Sequence, residues 1–417
     1  MKRGYLSEYF LGVGTKVLTS VDATGRSNQH EVGDRNHGEA LKQILGDVPR
    51  KQDNRFNASY IWMSDEQETI TETGYLSWYD TRENQKHRAP EWRLYYQGNA
   101  VTELMDGGDR LFVARQPDDN VLFIVVPGES TITSQLNWLF GLDEALFADQ
   151  FTVQGISAEE DTRLDFAARF ILDEIGVEYE DPDANSLDSI IEQFGTVFPT
   201  TAVFSDRARL TLQGVDARDD PDAALIAWLD HEEAMFRRLE NRIVAEDIRA
   251  GWVQNDHVDV DAFIKYSLGV QNRRKSRMGR SFENHLKAIF DVCEIRYDAQ
   301  VTTEKGKKPD FIFPGAREYF DSSFNVNALT MLAAKSSCKD RWPQVLPEAE
   351  RLETKHLVTL EPAISEAQTT TMQESGVQLI VPGRIRGSYT KDQQESIWPL
   401  AGFIELVSKR QSTDQSD

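Results

Sequence analysis

Lys307-Lys308-Pro309-Asp310-Phe311-Ile312-Phe313-Pro314 and the later run Leu329-Thr330-Met331-Leu332-Ala333-Ala334-Lys335 decide how the C-terminal half folds. Short, uninterrupted apolar runs bounded by turn residues predict strands buried on both faces. Each of these two carries a charged residue at one end, Asp310 where the first begins and Lys335 where the second stops. Lys305, Lys307 and Lys308 precede the aspartate, so a carboxylate stands beside a surface that attracts phosphate. Glu348 lies 13 residues beyond Lys335, on what reads as the next helical stretch.

Upstream, Phe282, Leu286, Ile289, Phe290 and Cys293 recur at the spacing of one helix face. Ser281 is the expected N-cap of that helix, Glu283 falls off the apolar stripe in its first turn, and the basic run Asn272 to Arg280 leads into it. Taken alone, Glu283 is simply an acid favoured at a helix N-terminus, and a Pro-Asp pair is simply a turn. The ordered set is more specific. Phosphodiester hydrolysis uses carboxylates to hold Mg²⁺ against the scissile phosphate and a cation near the attacking water, and Asp310, Glu348, Glu283 and Lys335 supply those parts.

Outward from this segment, His356 to Leu360 and Val377 to Val381 read as further buried strands between helical stretches, so residues 198–417 are expected to form a mixed α/β domain. Residues 1–155 contain short β-rich runs (Ser59 to Trp62, Tyr75 to Tyr79, Arg110 to Val113, Val121 to Val126) with one helix near Gly38 to Leu45, a pattern of barrels and sandwiches. Between them, residues 156–197 are dense in Asp and Glu and read as an acidic linker with local helix around Phe166 to Leu172.

The 417 residues, 40% hydrophobic and 28% charged, exclude a collagen, a disordered tail or a small disulfide scaffold. No apolar run approaches the roughly 20 residues of a membrane helix, and the N-terminus lacks the apolar core of a signal peptide, so a cytoplasmic protein with no membrane partner is expected. Cys293 and Cys338, the two cysteines, have no CxxC partner and are expected to be reduced. A net charge of -23 argues against nucleic acid on its own, yet local patches decide docking, and the basic residues cluster around the candidate site. An acid-rich surface also suits a protein working in concentrated salt, where screening is strong.

The segment Asn272 to Pro382 resembles the catalytic domain of the EcoRII restriction endonuclease family, PD-(D/E)xK nucleases whose second acid has moved from the strand to the following helix. The matching stretches are Asn272 to Arg277, Lys307 to Phe311, Cys338 to Trp342 and Glu374 to Val377. The resemblance implies that Asp310 and Glu348 ligate Mg²⁺, that Lys335 is the catalytic lysine and that Glu283 is an additional acid. It further implies that Lys339-Asp340-Arg341 reads the C·G pairs of the target. That assignment agrees with donor and acceptor chemistry, since Lys and Arg donate to guanine O6 and N7 and an acid accepts from cytosine N4.

The N-terminal region resembles the family's B3-like pseudobarrel effector domain, through Asp22 to Gly25, His30 to Gly33 and the basic stretch Arg82 to Arg93. It implies effector-DNA contacts by His30, Arg35, Lys86, Arg88, Glu91 and Arg93, with Arg35 standing where the family has a tyrosine and Trp92 replacing a base. What the resemblance implies for the whole chain is a type IIE, Mg²⁺-dependent restriction enzyme. It would be a homodimer on double-stranded DNA, cut a CCWGG-like site, be stimulated by a second site, and have a DNA methyltransferase as its companion. The rivals are a silent DNA-binding regulator and a nuclease of different or methylation-dependent specificity. His285 is expected as a polar-face residue or one that supports the ligating groups, rather than as a ligand itself; Tyr319 is expected in a surface loop, and Trp398 to Val407 in a packing helix.

Overall fold

The computed structural model describes residues 4–414 except 24–29, 34–36, 48–52, 86, 129, 143–149, 158–163, 180–186 and 255–256, and leaves out the side chains of residues 53, 253, 254, 257, 275, 339, 340, 413 and 414. Two units emerge: Met1–Tyr179 with Ala363–Ser365, and Glu180–Pro362 with Glu366–Asp417. No helix among the described residues is long and apolar enough to cross a membrane.

The first unit is built on strands β1 (Gly12–Val17), β2 (Glu31–Val32), β3 (Asp53–Trp62), β4 (Ile70–Asp80), β5 (Trp92–Tyr96), β6 (Arg110–Arg115), β7 (Val121–Val126) and β8 (Thr152–Gly155). They form one sheet in the order β2-β5-β4-β3-β7-β6-β1-β8. Its neighbours are antiparallel except β3 and β7, which run parallel. Alternate residues face two separate cores: Leu111, Val113 and Phe123 join Leu41 of the Glu39–Leu45 helix, while Phe112, Ala114 and Ile124 join Leu136 and Ile171 of two other helices. Burial on both faces explains why β7 reads Val-Leu-Phe-Ile-Val-Val with no polar alternation.

The acidic stretch contains the local helix expected around Phe166 to Leu172. Its helix, Phe166–Glu174, is capped by Asp165, which accepts from Ala168 N at 3.0 Å, and buries Ala168, Ile171 and Leu172 in the first unit's core. Leu187 and Ile191 instead join Phe204, Met235 and Phe236 in the second. The acidic residues had obscured two apolar anchors belonging to different units.

In the second unit, helices Thr201–Thr211, Pro221–Ala250 and Val260–Val292 pack together, the two long ones joined through a small hairpin of β9 (Val253–Gln254) and β10 (His257–Val258). A five-stranded sheet follows, β11 (Asp298–Ala299), β12 (Phe311–Phe313), β13 (Thr330–Lys335), β14 (Lys355–Thr359) and β15 (Val377–Ile380), in sequential order. β11 to β13 pair antiparallel and β13 to β15 parallel. Phe290 meets Phe311 and Phe313 edge-on at 5.3 Å each, pinning the long helix to β12. Leu400, Phe403 and Val407 of the last helix, Leu400–Asp414, are buried.

Ser281 is not an N-cap. The helix starts 21 residues earlier, at Val260, where Asp259 accepts from Ala262 N at 2.9 Å. The basic run is therefore helical and partly turned inward: Arg274 pairs with Glu240 at 2.7 Å, and Arg277 with Glu232 at 2.8 Å and with Glu233. Ser281 donates to the same Glu232, whose carboxyl stays below its usual range because His285, Arg277 and Ser281 outweigh the effect of burial. Removing one partner of such a buried pair is costly. Arg277→Met is accordingly expected to destabilise the second unit by about 3–5 kcal/mol, read from the denaturant midpoint; a loss under about 1 kcal/mol would show that the pair is not structural.

Candidate active site

β12 and β13 bring Asp310 and Lys335 together. Phe311 pairs with Leu332 in an antiparallel register, so the residue before β12 faces the end of β13. Asp310 Oδ2 accepts from Lys335 Nζ at 3.0 Å and from Ala334 N at 2.8 Å, while Oδ1 accepts from Gln300 Nε2 at 2.9 Å. The aspartate is buried, whereas the lysine side chain keeps 29% of its surface exposed. A partly exposed ammonium held by a fixed carboxylate is oriented by it.

Glu348 arrives from a different element than expected. The segment after β13 is a 3-10 helix, Lys339–Val345, and Glu348 sits on a bend beyond it, because Pro343 and Pro347 interrupt any regular helix. Only 8% exposed, its Oε2 is buried with no hydrogen-bond partner among the described residues. Burial, only partly offset by Lys335 and reinforced by Asp310, pushes its carboxyl up to about 7. Glu283, well inside the Val260–Val292 helix, is also raised, by burial and then by the charge of Asp310. These shared influences show that Glu283, Asp310, Lys335 and Glu348 occupy one electrostatic neighbourhood.

Gln300 was not singled out from sequence. It takes a left-handed backbone (φ 54°), and its amide serves both Asp310 and Glu283. A polar residue in a short connection carries no pattern that would have marked it.

No three His, Cys, Asp or Glu side chains among the described residues converge closely enough to hold a metal unaided. Mg²⁺, however, is commonly bound through one or two carboxylates, with water and phosphate oxygens completing its shell. Asp310 retains a lone pair on Oδ1, and Glu348 offers a buried oxygen with no partner, so the pair fits a site that bound phosphate would complete.

The Lys339-Asp340-Arg341 segment opens the 3-10 helix directly after β13. Arg341 is exposed, Trp342 and Val345 anchor the segment inward, and Cys338 N donates to the fully buried Glu361 at 2.7 Å; the side chains of Lys339 and Asp340 lie outside the description. Two expectations are corrected. Tyr319 is buried and donates to Glu304 at 2.7 Å, so it is no surface aromatic. His285 is fully buried, with Arg209 Nη1 2.9 Å from its Nδ1 and Glu232 Oε2 2.9 Å from its Nε2, and burial holds its pKa down. Both cysteines are free.

In the first unit, Arg35 and Lys86 lie outside the described residues. His30 packs edge-on against Tyr96 at 5.3 Å, and Arg88 is exposed. Glu91 and Arg93 are brought together at 2.7 Å, with Arg82 also on Glu91, and the Arg93 hydrogen bond holds the Glu91 carboxyl low. Arg93 lies 3.7 Å from Glu31 as well, so its charge is already partly committed.

Residues 236–404 match the family model described as EcoRII C terminal. The type II restriction enzyme EcoRII of Escherichia coli is 42% identical over 186 residues, 44% of this chain and 45% of that one, so the match spans about half the length of the relative. Among solved structures, metal-depleted Ecl18kI in complex with uncleaved, modified DNA gives a TM-score of 0.44 at 18% identity, over 54% of this chain and 84% of that one. The PspGI–substrate DNA complex gives 0.40 at 16% identity, over 56% and 96%. The segment that matches the family model contains Glu283, Asp310, Lys335 and Glu348.

Proposed function

We propose that this chain is a type II, site-specific deoxyribonuclease that hydrolyses double-stranded DNA with Mg²⁺. The observation that carries it is the pairing of Lys335 with Asp310 at 3.0 Å beside a buried Glu348 whose Oε2 has no partner. A merely structural ion pair has no need of a second, destabilised carboxylate. Asp310 and Glu348 would hold Mg²⁺, which supplies Lewis-acid stabilisation of charge on the scissile phosphate. Lys335 keeps a fixed positive charge where the attacking water must stand, favouring its deprotonation and neutralising the charge that develops. Glu283 completes the acidic wall and, through Gln300, restrains Asp310.

The finer reading follows the family resemblance. It comprises a CCWGG-like target cut before the first C, flipping of the central bases, and a homodimer matching the two-fold target. A B3-like first unit, working through His30, Arg35, Lys86, Arg88, Glu91 and Arg93, would bind a second, stimulating copy of the site. A methyltransferase would protect the host DNA in the cytoplasm. Lys339-Asp340-Arg341 would read the C·G pairs, with Arg341 held outward by its anchored neighbours.

Digestion of phage DNA with Mg²⁺, with and without a short CCWGG duplex, tests this reading: discrete fragments that increase with added duplex are expected. Intact DNA with duplex still bound would replace the enzyme by a silent regulator. Arg341→Ala should lower specific duplex binding by about 1–3 kcal/mol. Unchanged sequence preference in a competition assay would remove it from the recognition set.

A further inference from the structure

Glu348 lies on a turn that its own backbone does not favour. Ala349, the next residue, takes φ 48°, in the left-handed region that a residue bearing a Cβ adopts rarely. Such conformations persist only where the surroundings over-determine them, and they collect at functional sites. The structure shows what enforces this one. Lys355, the first residue of β14, is only 5% exposed, and its Nζ donates to Ala349 O at 2.7 Å and to Leu352 O. One buried ammonium thus closes the turn from beneath, gripping a carbonyl on either side of its apex.

The flanks of the turn are tied as well. Glu350 N donates to Glu304 Oε2 at 3.3 Å, and Arg351 Nη2 donates to Phe324 O at 2.8 Å. Glu348, in contrast, is left with a buried oxygen that no hydrogen bond occupies. A scaffold that secures the backbone just after a carboxylate, and leaves one carboxylate oxygen without a partner among the described residues, holds that oxygen ready for a ligand. Lys355 is the central member of this scaffold: Leu352 N also donates to Ala349 O, at 2.9 Å, and the Lys355 ammonium bonds the carbonyls of both residues, clamping the turn that this bond closes.

We propose that Lys355 is a positioning residue for Glu348, locking the Glu348–Leu352 turn so that the carboxylate is offered in a fixed place to a divalent cation. The proposal rests on the metal-binding reading of Glu348 given above. It differs from a plain stabilising role in what it predicts: loss of Lys355 weakens metal binding, not only folding. Groups that orient metal ligands typically contribute about 10–100-fold to metal affinity.

The test is a calorimetric titration of Mn²⁺ into the full-length protein, wild type against Lys355→Met, Lys355→Gln, Ala349→Gly and Glu348→Gln, with unfolding midpoints and the Mg²⁺ dependence of DNA cleavage followed in parallel. For Lys355→Met, Mn²⁺ binding should weaken by about tenfold or more, the Mg²⁺ concentration for half-maximal cleavage should rise by the same factor, and the rate at saturating Mg²⁺ should change far less. Ala349→Gly takes the left-handed φ without steric cost, so it is the control that should keep Mn²⁺ affinity and unfold at an equal or higher midpoint; Lys355→Gln, which keeps a donor but no buried charge, is the second variant if Lys355→Met does not fold, and it should weaken Mn²⁺ binding severalfold. Wild-type Mn²⁺ affinity in a folded Lys355→Met or Lys355→Gln protein overturns the proposal. Glu348→Gln separates the two layers: if it retains both Mn²⁺ binding and cleavage, the reading of Glu348 itself fails, whatever Lys355 does.

Discussion

Lys335→Ala is expected to lower the single-turnover rate of DNA cleavage by about 10²–10³-fold, the usual cost of deleting one preorganised charge aimed at a transition state. Duplex binding should be nearly unchanged, and so should folding. The Lys335–Asp310 pair keeps the lysine 29% exposed, and partly solvated pairs of this kind contribute little to stability. Asp310 also retains its bonds from Ala334 N and Gln300, so the carboxylate is not orphaned. A purely structural lysine would give the opposite pattern, with a lower melting temperature and intact chemistry in the protein that remains folded. Lys335→Arg should not restore the rate, because a planar guanidinium cannot occupy the place of a compact ammonium. Recovery by arginine would mean that bulk charge, rather than position, is what the site requires.

Glu348→Gln carries the second large effect, and it acts in two directions. Cleavage should fall by about 10²-fold or more, since a neutral amide is a poor ligand for a hard cation. Stability should rise. The Glu348 carboxyl is pushed from 4.5 up to about 7 in the folded protein, so the folded state holds this proton more tightly than the unfolded chain. Below about 4.5 both states are protonated and nothing is lost. As pH climbs toward 7, the unfolded chain ionises first, folding becomes less favourable, and above 7 the full penalty persists. That penalty is roughly 3 kcal/mol. Glutamine removes it, so the variant should unfold at a higher denaturant concentration than wild type at pH 8, with the difference shrinking toward pH 5. A variant less stable than wild type at pH 8 would contradict the assigned environment of Glu348. In the wild type at limiting Mg²⁺, the same titration makes cleavage rise between pH 6 and pH 8.

Asp310 and Lys335 were legible in the sequence because each ends an apolar run, and a charge at such a boundary must emerge where buried strands meet solvent. Glu348 was legible as a residue but not as an element. Its spacing from Lys335 marked it, while Pro343 and Pro347, which exclude a regular helix, went unweighed. The long helix was cut short for a related reason. The basic run looked like a surface approach to Ser281, although Asp259 ahead of Val260 carried the true capping signal. Nothing in the sequence pairs Arg277 with Glu232 and Glu233, or places His285 between Glu232 and Arg209, because these partners come from helices more than forty residues apart. Lys355 and Gln300 were invisible for the same reason. A lysine opening a strand and a glutamine in a connection acquire their roles only from the carbonyls and carboxylates that the fold brings to them. In the first unit, the basic stretch Arg82 to Arg93 gives no sign in the sequence that Arg82 and Arg93 both pair with Glu91.

The central claim is that the Asp310–Lys335–Glu348 constellation cuts DNA rather than merely resting beside it. The most direct measurement follows binding and cleavage of one labelled CCWGG duplex in the same tubes, with and without Mg²⁺, for wild type and Asp310→Asn. Wild type should bind and cut only with Mg²⁺ present, whereas Asp310→Asn should bind and leave the duplex intact. A wild-type protein that binds without cutting at any Mg²⁺ concentration, or an Asp310→Asn protein that still cuts, would contradict it.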